Sequence, residues 1–263
     1  MKPSNTAPFR VILLIVFSIS SHIAYSQKTD STKSIANLGG VVTLTNNGIS
    51  LLPTFTLGKP AIMFDLSVGK KRLSFEPMLR FALEGKPWAF IFWWRYKFIN
   101  KGKFRLSAGA HPAIVFRTMP VTSNGLTNDA IVAQRFLAAE VVPNYIITKD
   151  ISVGFYYLHG QALQKEEIQS TDFITFNSNF SNIKLSKQVY IKFNPQVYYL
   201  KMDDLEGFYA TSTLTLAKRN FPLSLQSIMN QTIKSDIPAN KEFVWNVSLV
   251  YSFSNEYAKK QLK

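Results

Sequence analysis

From Trp88 to Phe98 the chain reads WAFIFWWRYKF, with aromatic side chains at every second position: Trp88, Phe90, Phe92, Trp94, Tyr96 and Phe98. A helix turns 100° per residue and would scatter these rings around its circumference, whereas successive side chains of a β-strand point to opposite faces. The pattern predicts a strand over 88–99, aromatic on one face and carrying Ala89, Ile91, Trp93, Arg95 and Lys97 on the other. A slip of one residue would exchange the two faces, so the register is well specified.

The same alternation predicts strands over 49–57, 61–68, 72–83, 104–117, 131–147, 151–162, 172–180, 189–200, 208–217, 221–230 and 243–253, about twelve with 88–99. One face is apolar throughout, as in Ile62, Phe64, Leu66, Val68 and again in Val189, Ile191, Phe193, Val197, Tyr199. The opposite face holds Asp65, Glu76, Arg80, Glu140, Lys192, Asn194 and Gln196.

Composition decides which face is wet. Apolar residues make up 46% of the 263 positions and charged residues only 17%, against about 25% charged in soluble domains. Twelve strands of large apolar side chains exceed what one small interior holds at normal packing density. No segment reaches the roughly 18 apolar residues of a spanning helix, and in hydrocarbon the remaining way to satisfy the backbone is a closed sheet. The expected fold is therefore all-β: a transmembrane antiparallel β-barrel with its apolar face outward. The composition shows no linker between two cores, so one domain is expected.

Near the N-terminus, Lys2 and Arg10 precede the run VILLIVFSIS, and Ala24-Tyr25-Ser26 offers small residues where a signal peptidase reads. A signal peptide over 1–26 with cleavage before Gln27 is expected. Removing Lys2 and Arg10 lowers the formal charge from +14 to +12. These cations stand mostly at turns rather than on one face, which argues against nucleic acid. With no cysteine, disulfides, thiolate metal sites and a lipidated cysteine are excluded.

The last long segment sets Trp245, Val247, Leu249, Tyr251 and Phe253 on one face and Asn246, Ser248, Val250 and Ser252 on the other. It resembles the C-terminal strand of bacterial outer-membrane β-barrels, which alternates apolar residues and ends on an aromatic that the barrel-assembly machinery reads. Ten residues follow Phe253, a departure from members that stop at the aromatic. The resemblance implies the outer membrane of a Gram-negative bacterium, contact with its lipids, and the assembly machinery as a partner. With Phe253 in the periplasm, the expected organisation is a barrel over 49–253 and a periplasmic tail over 254–263. Residues 27–48 would be a periplasmic segment, an extra strand or a plug. The periplasmic turns, near 69–72, 100–103, 148–150, 181–188 and 218–222, are then short. The outward connections near 58–60, 84–87, 118–130, 163–171, 201–207 and 231–242 include the longest loops, the order that such barrels show. The periplasmic set is rich in lysine and arginine, the outward set in carboxylates.

Candidate chemistry lies inside. Asp65, Glu76, Arg80, Arg95, Lys97, Arg105, His111, Arg117, Glu140 and Lys192 would face the lumen, most from neighbouring strands. This belt is either a selectivity wall that favours small anionic solutes or a set of salt bridges that stiffens the wall, the pairing of opposite charges on adjacent strands favouring the second. Pro53, Pro77, Pro112, Pro143 and Pro195 fall within strands on the lipid side; they are read as bulges that help a small barrel close or, more sharply, as a seam for lipid or an apolar ligand. A barrel enzyme acting on lipids would need a serine activated by a histidine. Beyond the signal peptide the chain has only His111 and His159, and neither is followed two residues on by serine. No catalytic, cofactor or metal motif appears. Three functions stay open: a pore or transport-related barrel for small anionic solutes, a lipid-modifying enzyme, and a binding scaffold working through the loops at 118–130 and 163–171.

Overall fold

A computed structural model of the chain describes residues 35–123, 126–165, 168–238 and 241–258; the segment read as a signal peptide lies outside the described residues. The strands are β1 (Ile35–Thr45), β2 (Ala61–Lys70), β3 (Leu73–Ala82), β4 (Pro87–Ile99), β5 (Phe104–Ser123), β6 (Leu126–Ile146), β7 (Ile151–Ala162), β8 (Ser170–Lys184), β9 (Val189–Met202), β10 (Leu205–Lys218), β11 (Leu223–Ser235), β12 (Phe243–Trp245) and β13 (Ser248–Ala258). Each pairs antiparallel with its neighbours. β1 pairs with both β2 and β13, and β11 with β10 on one side and β12 and β13 on the other. Because β12 and β13 lie end to end along β11, the sheet closes as a barrel of twelve staves.

The break between β12 and β13 is stitched by side chains. Asn246 accepts from the backbone N–H of Ile228 at 2.9 Å and donates to the Asn47 carbonyl at 3.0 Å, while Asn46 accepts from the Val247 N–H at 2.8 Å. These amides supply partners that the interrupted ladder lacks.

Large apolar side chains cover the outside. Phe155, Val197, Leu225 and Trp245 are all about half exposed (56, 52, 52 and 52%), and ring pairs such as Phe75–Trp94 and Phe155–Phe176 knit adjacent strands. A belt of this extent far exceeds the apolar patches that water-soluble monomers show. Hydrocarbon therefore covers it, and the barrel spans a membrane.

One end of the barrel has only short turns, at 71–72, 100–103, 147–150, 185–188 and 219–222; the other has connections at 46–60, 83–86, 124–125, 163–169, 203–204 and 236–242. The connection expected as a loop over 118–130 is mostly a projecting hairpin, since β5 and β6 stay paired from Phe104↔Tyr145 up to Ser123↔Leu126. Asp203 ties two of the outer connections together by accepting from the N–H groups of Gln169 and Ser170, at 2.9 and 2.7 Å.

Four expectations change. The first stave is 35–45, so the extra-strand alternative for 27–48 holds over those residues, and 49–57 is not a strand: it turns inward through a single 3-10 turn, Pro53–Phe55. Ile49, Leu51, Pro53, Phe55 and Leu57 do alternate, but an apolar filling inside the lumen accepts that pattern as readily as lipid does. The final strand runs to Ala258 instead of stopping at Phe253, because β1 continues to Ile35 and offers it partners. Trp88 faces the lumen, not the lipid. The β3–β4 register shifts between Arg80 and Phe81, and the extra residue turns the indole inward, where it is 3% exposed. Finally, Pro77, Pro112, Pro143 and Pro195 interrupt pairing with one neighbour without shifting its register, so none makes a bulge, and Pro53 lies outside any strand.

Candidate functional site

The lumen is divided along its axis. Toward the short-turn end lies the ionisable belt. Glu76 on β3, Arg95 on β4 and Glu140 on β6 meet: the Arg95 Nε donates to Glu140 Oε1 at 2.6 Å, Nη2 donates to Oε2 at 3.2 Å, and Nη1 donates to Glu76 Oε2. Arg95 also stacks on Trp93, 4.2 Å from guanidinium to ring centroid, and Trp93 packs edge-on against His111 at 4.1 Å. Tyr156 on β7 stands beside Glu140. The Glu140 side chain is only 1% exposed, and the guanidinium fork of Arg95 meets both of its oxygens.

Asp65 on β2 and Arg80 on β3 stand near enough for their charges to interact without forming a direct ion pair. Asp65 Oδ1 and Arg80 Nε lack a hydrogen-bond partner among the described residues, and Arg80 also covers the face of Trp88 at 5.5 Å. Arg105 and Lys192 stand apart from this group, each near the short-turn end of its strand; Arg105 lies beside Asn144, and Lys192 is exposed within the barrel. Of the ten candidate residues, the structure thus joins Glu76, Arg95, His111 and Glu140 in one cluster, sets Asp65 near Arg80, places Arg117 at the loop end against Thr54, and leaves Lys97, Arg105 and Lys192 outside these groups. Apart from Lys192, the opposite wall is built of neutral polar pairs. There Asn194 donates to Asn179 at 2.7 Å, Gln226 donates to Thr215 at 3.2 Å, and Asn230 donates to the Tyr198 hydroxyl at 3.0 Å.

Toward the loop end the lumen is filled by the inward segment of 46–60. Three wall side chains hold its carbonyls: Tyr198 donates to Leu51 O at 3.0 Å, Arg117 donates to Thr54 O at 2.8 Å, and Trp88 donates to Phe55 O at 2.9 Å. Phe55 packs edge-on against Phe136 at 5.4 Å, with the Arg117 guanidinium 4.9 Å above its ring. Leu51 and Leu52 rest on an apolar cluster of Phe173, Tyr198, Leu200, Met202, Tyr209 and Ile237. The holding residues come from β4, β5 and β9, so the segment crosses the mouth instead of lining one side.

Sequence reasoning missed this stopper and its anchors. It assumed a polar lumen and so did not see that Tyr198, Leu200 and Met202 face inward. The available signal was Gly48 and Gly58 bracketing the run at 49–57, a mark of a segment that leaves the wall.

Outside, near the loop end, Asp172 accepts from the Tyr157 hydroxyl at 2.7 Å and its Oδ1 lies 2.9 Å from His159 Nδ1. This gives His159 an acidic neighbour at the rim. Among the described residues no group of three His, Cys, Asp or Glu side chains is placed to hold a metal ion.

No protein-family model matches the sequence, and no curated protein does. Solved structures of similar architecture include a KdgM porin in complex with disordered oligogalacturonate, 10% identical with a TM-score of 0.48 over 82% of this chain and 99% of that one. An outer membrane channel from Pseudomonas putida F1 is 10% identical, with a TM-score of 0.48 over 87% and 98%. The NanC porin is 9% identical, with a TM-score of 0.46 over 86% and 100%. The likeness is one of fold.

Proposed function

We propose that the chain is a channel of the Gram-negative outer membrane, closed at its outer half by the segment 46–60 and selective toward small anionic solutes once that segment withdraws. One observation carries the reading: the obstruction is a loop, not a wall. Wall side chains hold three of its carbonyls by single hydrogen bonds from Tyr198, Arg117 and Trp88, each worth about 0.5–1.5 kcal/mol net, or up to about 3 from a charged donor. The wall beneath it is closed and polar.

Selectivity follows from arithmetic over the belt. Asp65, Glu76 and Glu140 contribute three negative charges against four positive ones from Arg80, Arg95, Arg105 and Lys192. Asp65 offsets Arg80, and the group of Glu76, Arg95 and Glu140 keeps one negative charge, so Arg105 and Lys192 stand as the cations without a carboxylate partner in this set and the seven groups carry one net positive charge. The preference for anions is accordingly modest.

Conductance in planar bilayers tests this. The full chain should pass small, intermittent currents. Replacing 49–57 by a short Gly-Ser bridge between Gly48 and Gly58 should give a steady, larger current with a reversal potential on the anion side. A barrel that stays sealed after that replacement is not a channel. Trp88→Phe, which removes one donor to the segment, should raise the open fraction roughly fivefold, the equivalent of about 1 kcal/mol.

A further inference from the structure

At the outer mouth a recess of about 330 Å³ opens between the inward segment and the upper ends of β4 and β5. It exists because β4 stops pairing with β5 at Ala89↔Val115, while β5 continues to Ser123 against β6. The wall thus steps down at the β3–β4 hairpin. Phe55, Lys59, Glu84, Lys86, Trp88 and Arg117 line the recess.

Three of these side chains are cationic and one is anionic. Glu84 lies 3.5 Å from the Lys59 ammonium and 3.7 Å from that of Lys86, with all three groups about half exposed. Ion pairs so exposed hold weakly, and both ammonium groups can turn to a better acceptor. Arg117 meets the segment at two points, the Thr54 carbonyl and the Phe55 ring, and a guanidinium carries five donors in a planar fork that matches a carboxylate. Phe55, partly exposed, adds a flat apolar face, and the buried Trp88 backs it.

We propose that this recess binds a small carboxylate with a flat apolar body, the carboxylate held by Arg117 with Lys59 and Lys86, and the body laid against Phe55. A carboxylate is a stronger acceptor than the neutral Thr54 carbonyl, so occupancy draws Arg117 from the inward segment and loosens the stopper. That second step rests on the channel reading; the binding itself does not.

The test uses the full chain folded in detergent and 4-fluorobenzoate as probe, followed by fluorine NMR, with 4-fluorobenzyl alcohol as its neutral counterpart and inorganic phosphate as an anion without an apolar body. Fluorobenzoate should bind saturably, the alcohol should not saturate, and phosphate should displace the probe at least about tenfold less effectively than unlabelled benzoate. Lys59→Gln with Lys86→Gln, which leaves the contacts to the segment in place, should weaken binding about threefold, and Arg117→Gln at least about tenfold. Equal binding of the alcohol, equal displacement by phosphate, or unchanged affinity in both variants overturns the site. Conductance separates the two ideas: a current in the barrel lacking 49–57 when the full chain fails to bind benzoate sinks the site alone, and benzoate binding by the full chain when neither barrel ever conducts sinks the channel alone.

Discussion

Arg95 on β4 reaches Glu140 on β6 across the bare backbone of Gly109, which lies on the strand between them, with 2.6 Å from Nε to Oε1. A Cβ at position 109 would come within 2.9 Å of Arg95 Cγ, 2.9 Å of the Trp94 carbonyl oxygen and 3.1 Å of Glu140 Oε1. One of these atoms is backbone and another belongs to a buried carboxylate, so neither yields easily. Gly109→Val should therefore cost about 1–3 kcal/mol of barrel stability, read as a lower urea midpoint for unfolding from lipid vesicles. An unchanged midpoint would show that the ion pair is not held where the structure places it.

Removing only the cation should do more damage than removing both charges. Arg95→Met leaves Glu140, almost fully enclosed, facing Tyr156 and no cation, and stranding one partner of a buried pair costs about 3–5 kcal/mol. Adding Glu140→Gln to Arg95→Met should recover most of that loss, because an amide needs no counter-charge. The same urea titration decides, and a double variant as unstable as the single one would argue that the guanidinium acts through its stacking on Trp93.

This pair also marks what a one-dimensional pattern can carry. Alternation through Phe90, Phe92, Trp94 and Tyr96 placed Arg95 inside, because a strand has two faces and lipid tolerates one kind of residue. It could not say that Arg95 would choose Glu76 and Glu140, which are 19 and 45 residues away along the chain; that choice depends on strand stagger and on a glycine between them. Trp88 broke the alternation through a bulge, a backbone event with no residue signature of its own. The run from Ile49 to Leu57 failed differently. Its period of two was real, yet its apolar face met Tyr198, Met202 and Phe136 inside the barrel, so the pattern reported burial without reporting in what.

Closure of the barrel depends on another glycine. A Cβ on Gly40 of β1 would meet the Phe253 ring at 2.7 Å and Leu66 at 2.8 Å, so Phe253 lies over the first strand where the two ends of the sheet join. Phe253 thus has a packing role in the folded barrel as well as its expected role in recognition by the assembly machinery. Gly40→Leu should hinder closure and reduce the heat-modifiable folded band on gels both in cells and in refolding from urea into detergent. Phe253→Ala separates the roles: a defect in cells alone supports the recognition role, whereas equal defects in both settings assign the residue to packing.

Four prolines offer a test of the lipid-facing wall. Pairing between β4 and β5 jumps from Ile91↔Ala113 to Trp94↔Ala110 with the register unchanged, while on the other side Pro112 stays paired with Leu137. The missing N–H of Pro112 therefore belongs to the β4 side, opposite Phe92. In hydrocarbon a carbonyl without a donor has no water to turn to, so Pro112→Ala restores a bond where it is worth most. Against this, proline restricts the unfolded chain, and its loss costs about 0.4–1 kcal/mol. The bond should outweigh that entropy, so the substitution raises the urea midpoint in vesicles and does so less in detergent micelles, which admit water. If the variant is instead destabilised in vesicles, the gap is held open by packing, and the β4–β5 seam at Pro112 gains weight as a lateral route for lipid.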